Sequence, residues 1–92
     1  MNEIRAAREA VERILDDCGL RAFVYTVEPK VEGWLLIIDC AADGGWQSIT
    51  VPVDAAELSA SLGDAAVREK LRHEWEPHLR ACARSRAEAP AG

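Results

Sequence analysis

Residues 23–53 read FVYTVEPKVEGWLLIIDCAADGGWQSITVPV, and this stretch decides the fold. It contains three apolar, strand-like runs separated by two segments that are rich in turn-forming residues. Because short turn segments join neighbouring strands as hairpins, the runs predict an antiparallel meander with the second strand in the centre. Pro52 cannot donate to a strand ladder, so the third strand is either an edge strand or ends at this residue. The three strands are predicted at residues 22–28, 34–40 and 46–53.

The alternation of side chains along each strand assigns residues to two faces of the sheet. If the hairpin loops contain four residues, Val27 lies opposite Trp34 and Tyr25 lies opposite Leu36. Asp39 then falls on the face away from the core, which favours this assignment over a slip by one residue. The predicted core face consists of Phe23, Tyr25, Val27, Trp34, Leu36, Ile38, Cys40, Ile49, Val51 and Val53.

A helical pattern precedes the sheet. We predict a first helix over residues 3–17, with Asn2 as its N-cap. Gly19 stands where a left-handed residue ends such a helix. Its apolar stripe consists of Ile4, Ala7, Val11, Ile14, Leu15 and Cys18.

Two further helical segments follow the sheet. Asp54, with Glu57 three residues later, forms a capping-box pattern that opens a second helix. Asp64 caps a third helix, and Pro77 predicts a kink or a restart near Glu76 because proline lacks the N–H of the helical ladder. The apolar side of this third helix carries Val67, Leu71, Trp75 and Leu79, so we expect Trp75 to pack in the core.

These elements predict an α+β fold in the order α-β-β-β-α-α, with the helices packed on one face of the sheet. Residues 1–84 are expected to form one domain, and residues 85–92 to form a disordered tail without an apolar anchor. The order resembles that of the double-stranded-RNA-binding domain over about residues 3–62. Asp54-Ala55-Ala56-Glu57 replaces the basic start of that family's last helix, so no RNA-binding function is carried over. Small phage inhibitors of defence nucleases can also have this order.

Composition and charge limit the classes of function. The chain of 92 residues has a formal net charge of −5 and a pI of about 4.9. Binding to nucleic-acid phosphates requires clustered Lys and Arg, so we expect no direct nucleic-acid binding. Frequent Ala and a preference for Arg over Lys indicate a GC-rich genome and hence a bacterial or phage origin.

The cysteines and the N-terminal sequence predict a cytoplasmic protein. Cys18, Cys40 and Cys82 are odd in number and widely spaced, unlike the dense, even set of a small secreted scaffold. We expect them to pack as small hydrophobic residues. The charged N-terminal sequence lacks the apolar stretch of a signal peptide, and no run approaches the roughly 18 apolar residues of a membrane span.

No group of residues forms a complete catalytic or metal-binding pattern. His78 and Cys82 share one face of a helix, but no CxxC or HxxxH motif completes a metal site. The same pair is the only local combination of base and nucleophile. A chain of this size also leaves little room for a ligand pocket of roughly 300 Å³. We therefore expect no enzymatic activity, cofactor or metal ion.

The second face of the sheet is the predicted interaction surface. The middle strand is apolar on both faces, as in a strand that is covered from both sides. If the helices cover the first face, the second face is open, and contiguous exposed apolar area marks an interface. The alternatives are that the C-terminal helix covers this face or that the register is misassigned. The predicted protein interface consists of Val24, Leu35, Ile37, Asp39, Trp46 and Thr50.

The predicted function is non-catalytic recognition of a protein, with a homodimer through the outer sheet face as one form of it. A second hypothesis is a small acidic inhibitor, of phage or mobile-element type, that blocks a nucleic-acid-binding enzyme. It requires clustered carboxylates, for which Glu28, Glu32, Asp39 and Asp43 are the candidates. A thiol or metal-dependent enzyme is the third alternative. If His73 and His78 face solvent beside Glu74 and Glu76, they would make binding to a partner pH-sensitive.

Overall fold

A computed structural model describes residues 3–84, and the predicted α+β fold is confirmed. The three strands form one antiparallel sheet in the order β1-β2-β3, so the second strand is central as predicted. The predicted N-cap Asn2 and the predicted tail at residues 85–92 lie outside the described residues. The elements are α1 (Glu3–Cys18), β1 (Phe23–Lys30), β2 (Gly33–Ala42), β3 (Gly45–Asp54), α2 (Ala55–Ser61), α3 (Ala65–Trp75) and a 3-10 turn (Glu76–Leu79).

The register of the first hairpin differs from the prediction. Val27 lies opposite Leu36 rather than Trp34, and Tyr25 lies opposite Ile38 rather than Leu36. The cause is a shorter loop, because β1 ends two residues later than predicted and leaves a turn of two residues. Since the shift is by an even number of residues, every side chain keeps its predicted face.

Gly33 follows that turn and has a backbone conformation that other residues rarely adopt. Its φ is +151°, and a Cβ atom at this position would collide with the backbone oxygen of Val53 on the neighbouring strand. Glycine is therefore required for the close approach of β2 and β3 at this end of the sheet. Val31, in the turn just before, is fully exposed.

Helix ends follow the predicted caps. The Asp54 carboxylate accepts a hydrogen bond from the backbone N–H of Glu57 at 2.9 Å, and Asp64 accepts one from Ala66 at 2.9 Å. Gly19, at a φ of +72°, follows the end of α1 in the left-handed conformation. The interruption that Pro77 predicts is present, since α3 stops and the chain continues as a 3-10 turn.

One hydrophobic core lies between the helices and a single face of the sheet. The buried sheet residues all belong to the predicted core face: Val27, Leu36, Ile38, Cys40, Val51 and Val53. From the helical side, Trp75 is only 2% exposed, which confirms its predicted packing in the core. Its buried neighbours in this core include Val11, Ile14, Leu15, Leu58, Leu71 and Leu79.

The segment after the 3-10 turn is joined to the end of the sheet. The backbone N–H of Ala83 donates to the carbonyl of Ala41 at 2.7 Å. Next to this bond, Cys82 forms a disulfide with Cys40, and both residues are buried. All three cysteines are buried, as expected, but the sequence analysis did not predict this disulfide. The Cα atoms of this pair lie 5.6 Å apart, within disulfide range, because the last segment pairs beside the end of β2.

Candidate protein interface

The outer face of the sheet is not covered by any helix within residues 3–84. The C-terminal helical segment packs Leu71, Trp75 and Leu79 into the core on the other face, so it does not cover this one. Val24 is 58% exposed and Trp46 is 64% exposed on the outer face. Of the other predicted interface residues, Thr50 is exposed, whereas Leu35, Ile37 and Asp39 are partly buried.

The antiparallel register arranges the outer-face residues in rows across the three strands. Asp39 lies between Val24 and Ser48 in one row. The Ser48 hydroxyl donates to Oδ1 of Asp39 at 2.5 Å, which holds this carboxylate against the sheet. Neighbouring rows are Thr26–Ile37–Thr50 and Glu28–Leu35–Pro52. The predicted residues therefore form one continuous surface with an apolar centre.

Trp46 lies at the end of this surface, next to the β2–β3 turn. Its cross-strand neighbour is Ala41, and it follows Gly44 and Gly45. These three neighbours have no side chain or a small one, so nothing on β2 covers the indole ring. Large aromatic side chains contribute much of the binding energy at protein interfaces, so Trp46 is the strongest candidate for a binding contact on this face.

The acidic residues of the two hairpins do not gather at one place. Glu28 and Asp39 both lie on the outer face, but they are far apart along the strands. Asp39 lies opposite Val24, and Glu28 is four residues further along β1. Four strand residues span about 14 Å. Lys30 lies 3.6 Å from Glu28 and compensates its charge. Glu32 and Asp43 lie in turns at opposite ends of the sheet. The carboxylate cluster that the inhibitor hypothesis requires is not formed.

The candidate thiol and metal residues are not brought together. Cys82 is bonded to Cys40, so its sulfur is neither a nucleophile nor a thiolate ligand beside the exposed His78. Within residues 3–84, no group of three or more His, Cys, Asp or Glu is placed to hold a metal ion. In the same part of the chain, no helix has the length and apolarity of a membrane span.

Cys18 is the remaining thiol, and it lies in a charged cluster beneath the C-terminal segment. Burial, together with the nearby Glu76 carboxylate, which accepts a hydrogen bond from the thiol, raises the pKa of Cys18 to about 12. Nη1 of Arg84 donates to the Cys18 carbonyl at 2.6 Å, and Nη2 donates to Oε1 of Glu76 at 2.9 Å. A neutral, buried thiol is a poor nucleophile, so the cluster is best explained as a clamp that holds the last segment against α1.

A half-open groove between α1 and α2 has a volume of about 310 Å³, close to the lower size limit of roughly 300 Å³ for a ligand pocket. It exists because the small residues at this helix contact, Ala6, Ala7, Ala55 and Ala56, leave space above Trp34. The polar side chains in its lining belong to Glu3 and Ser59, both exposed. This lining pairs no nucleophile with a base.

A feature that the sequence did not indicate is the set of backbone N–H groups on β3 that point away from β2. Ala42 and Gly45 flank a two-residue turn, so this pair exchanges both of its hydrogen bonds. Hydrogen-bonded and non-hydrogen-bonded pairs alternate along an antiparallel ladder. Counting from the Ala42–Gly45 pair, the N–H groups of Trp46, Ser48 and Thr50 therefore point away from β2. Within residues 3–84, no backbone hydrogen bond joins these groups to another element. The edge of β3 is therefore a second open surface, beside the outer face.

Comparisons with known proteins do not identify this arrangement. No family model matches this chain. No curated protein and no solved structure matches it either. What the protein does is therefore inferred from the geometry of residues 3–84 alone.

Proposed function

We propose that this protein is a non-catalytic interaction module that binds another protein through the outer face of its sheet. The observation that carries the proposal is the exposure of Val24 and Trp46 on a face that no described helix covers. Ile37 and Leu35 follow Asp39 along β2, away from Trp46, and form the apolar centre of this face. An exposed apolar surface of this kind is unfavourable in water and is removed from it when a partner binds.

The charges on this face favour a partner other than a second copy packed face to face. Asp39 lies next to the apolar centre and is held there by Ser48. A face-to-face homodimer would enclose the Asp39 carboxylates of both copies in one interface, which costs free energy because neither charge gains an opposite partner. A partner with an apolar patch and a Lys or Arg beside it would satisfy Asp39 instead.

The acidic inhibitor is the weaker, second candidate: the net charge of −5 supports it, but the carboxylate cluster that it requires is not formed. It uses the same face but differs in its partner, which would be the basic groove of a nucleic-acid-binding enzyme. The two proposals differ in salt dependence. Binding that rests on long-range charge weakens steeply with salt, whereas binding that rests on Trp46 and the apolar centre changes little.

The cytoplasmic location is also a proposal, and one observation weighs against it. The Cys40–Cys82 disulfide is of a kind that persists in oxidising compartments and is rare where cellular reductants keep thiols reduced. Counting free thiols in the unfolded protein, purified from its natural source with reactive thiols blocked at lysis, tests this point. Three free thiols would support the cytoplasm, and one would support an oxidising compartment.

The substitution Ile37→Lys tests the outer face. It places a charge in the apolar centre and leaves the core on the other face unchanged. The matched control is Ala60→Lys, at an exposed position on α2. In affinity purification from the source organism, a specific partner should bind the wild type and the control but not Ile37→Lys. All three proteins should melt at similar temperatures. A partner that binds all three equally would contradict the proposal.

A further inference from the structure

The two edges of the sheet differ in how they are protected. On β1, Tyr25 contacts α1 through its hydroxyl group, which lies 3.2 Å from the Arg8 carbonyl and from the Glu12 carboxylate. The same strand ends in Glu28-Pro29-Lys30. By contrast, residues 45–53 of β3 contain no charged side chain. Edge strands are normally guarded against strand pairing by charges, prolines or a covering element. Between its turn and Pro52, β3 has no charged residue or proline, and within residues 3–84 no other element forms a backbone hydrogen bond to its outer edge.

The proline on β3 marks where this open edge stops. Pro52 lies opposite Leu35 at a position whose missing N–H would point away from β2, so it costs no hydrogen bond within the sheet. It does prevent another strand from bonding at this point. The open edge therefore consists of residues 45–51, with Ser48 at its midpoint.

We propose that β3 pairs with β3 of a second copy in antiparallel orientation, which joins the two sheets into one sheet of six strands. A two-fold axis at Ser48 places this residue opposite Ser48 of the second copy and places Trp46 opposite Thr50 in both directions. On the order of six backbone hydrogen bonds then form. In this register Pro52 lies opposite Gly44 of the second copy, in the turn beyond the end of the strand.

The same register gives Trp46 a contact surface. Its ring lies on the outer face beside Thr50 of the second copy and diagonal to Pro52 of the second copy. Pairs of an aromatic and a β-branched residue stabilise neighbouring antiparallel strands, and long side chains also reach the diagonal neighbour. The dimer would therefore cover the side chain of Trp46, which is 64% exposed in the single chain.

Charge favours this edge pairing over a face-to-face homodimer. The paired residues 45–51 carry no charge, whereas a face-to-face dimer encloses both Asp39 carboxylates. In the edge dimer, the two Asp39 residues are separated by three strand spacings, or about 14 Å. That separation exceeds the screening length of roughly 8–10 Å at physiological salt. A net charge of −5 on each copy is therefore compatible with pairing at this edge.

Edge pairing does not depend on the proposed function, because its hydrogen bonds use the edge of β3; the two proposals share only the side chain of Trp46. One strand and one Trp per copy bury less than the roughly 800 Å² per partner of a standard interface. We therefore expect a dimer that forms with increasing concentration. In sedimentation equilibrium, the average mass should rise from 10.1 kDa towards twice that value.

The substitution Thr50→Pro tests the pairing. It removes an N–H that points outward and takes no part in the β2–β3 ladder, so the isolated fold should persist. Dimerisation should weaken by about tenfold or more, the effect of losing one or two hydrogen bonds. Thr26→Lys is the matched control, because Thr26 and Thr50 flank Ile37 on the same face. An edge dimer should tolerate Thr26→Lys, whereas a face-to-face dimer should not.

A disulfide cross-link keeps the test valid if Thr50→Pro fails to fold. In the proposed register the Cα atoms of the two Ser48 residues lie about 5.5 Å apart, within the range that a disulfide spans. Mild oxidation should therefore cross-link Ser48→Cys into a dimer and leave Thr26→Cys monomeric. Three results would each overturn the pairing: a wild type that stays monomeric at millimolar concentration, a dimer unaffected by Thr50→Pro, or one abolished by Thr26→Lys.

Discussion

Cys40 and Cys82 are joined by a disulfide across 42 residues of sequence, and both side chains are buried in the same core. The bond connects the central strand of the sheet to the segment that follows the 3-10 turn. Arg84 strengthens this connection with its hydrogen bonds to Cys18 and Glu76. The last part of the described chain is thus held to both the sheet and α1.

Removing this disulfide should destabilise the fold strongly. For a loop of this length, the entropy that a cross-link removes from the unfolded chain corresponds to roughly 4 kcal/mol. The double variant Cys40→Ala/Cys82→Ala should lose about this much unfolding free energy. Denaturant titration measures the loss, and the wild type with reductant should behave in the same way. If neither change moves the unfolding midpoint, the disulfide does not contribute to stability.

Trp75→Ala tests the core against the alternative of a recognition helix. Trp75 is 2% exposed, and deleting a buried aromatic side chain costs roughly 3–5 kcal/mol. The melting temperature should therefore fall sharply. His73→Ala is the control on the same helix, since the His73 side chain is 70% exposed, and it should leave the melting curve nearly unchanged. Equal melting curves for the two variants would show that Trp75 does not support the core.

Cys18 should make stability depend on pH in the alkaline range. Burial raises its pKa from 9.0 to about 12 in the folded protein. Below pH 9 the thiol is neutral in both states, so its contribution to stability is complete there. Between about pH 9 and pH 12 the unfolded chain loses its proton first, and stability falls by less than about 1.4 kcal/mol per pH unit.

Denaturant titrations over that pH range measure this effect when the wild type is compared with Cys18→Ala. The difference in unfolding free energy between the two proteins should shrink as pH rises, because alanine has no proton to lose. Other alkaline titrations, such as that of Tyr25, affect both proteins equally. A constant difference across the range would mean that the Cys18 pKa is not raised by folding.

Gly33→Ala should destabilise the sheet because its Cβ would meet the backbone oxygen of Val53 at a φ of +151°. The expected loss is on the order of 1–3 kcal/mol. Gly63 provides the control, since a Cβ there has no atom within 4 Å. Gly63→Ala should change the free energy of unfolding by no more than about 0.5 kcal/mol. Equal effects of the two substitutions in thermal unfolding would contradict this role of Gly33.

Much of the fold could be predicted because local signals agreed with one another. The alternation of side chains along β2 assigned each residue to the correct face. The error in loop length was two residues, and a shift by an even number leaves these faces unchanged. Loop length itself was misjudged at Pro29 and Lys30. Their low strand propensity indicated a turn, yet both lie in β1, where the missing N–H of Pro29 points to the sheet edge.

The disulfide could not be predicted from the sequence, and neither could the exposure of the β3 edge, although Pro52 did indicate an edge strand. Three cysteines allow three different pairings, and the spacing between Cys40 and Cys82 has no motif that selects one. Whether a helix covers the edge of β3 depends on where the helices lie across the sheet. The spacing of apolar residues along a helix does not determine that position. The absence of charge in residues 45–53 was visible in the sequence, and it is the signal that would have indicated this edge.

The position of Cys82 and Arg84 near the end of the described chain has a consequence during protein synthesis. α1 and the complete sheet leave the ribosome before the residues that close the core beside them. Until Cys82 emerges, Cys40 is an unpaired thiol at the end of β2, and the carbonyl of Cys18 lacks its Arg84 donor. The disulfide and the Arg84 hydrogen bonds can therefore form only after residues 82 and 84 have left the ribosome, and a chain that terminates before residue 82 lacks both.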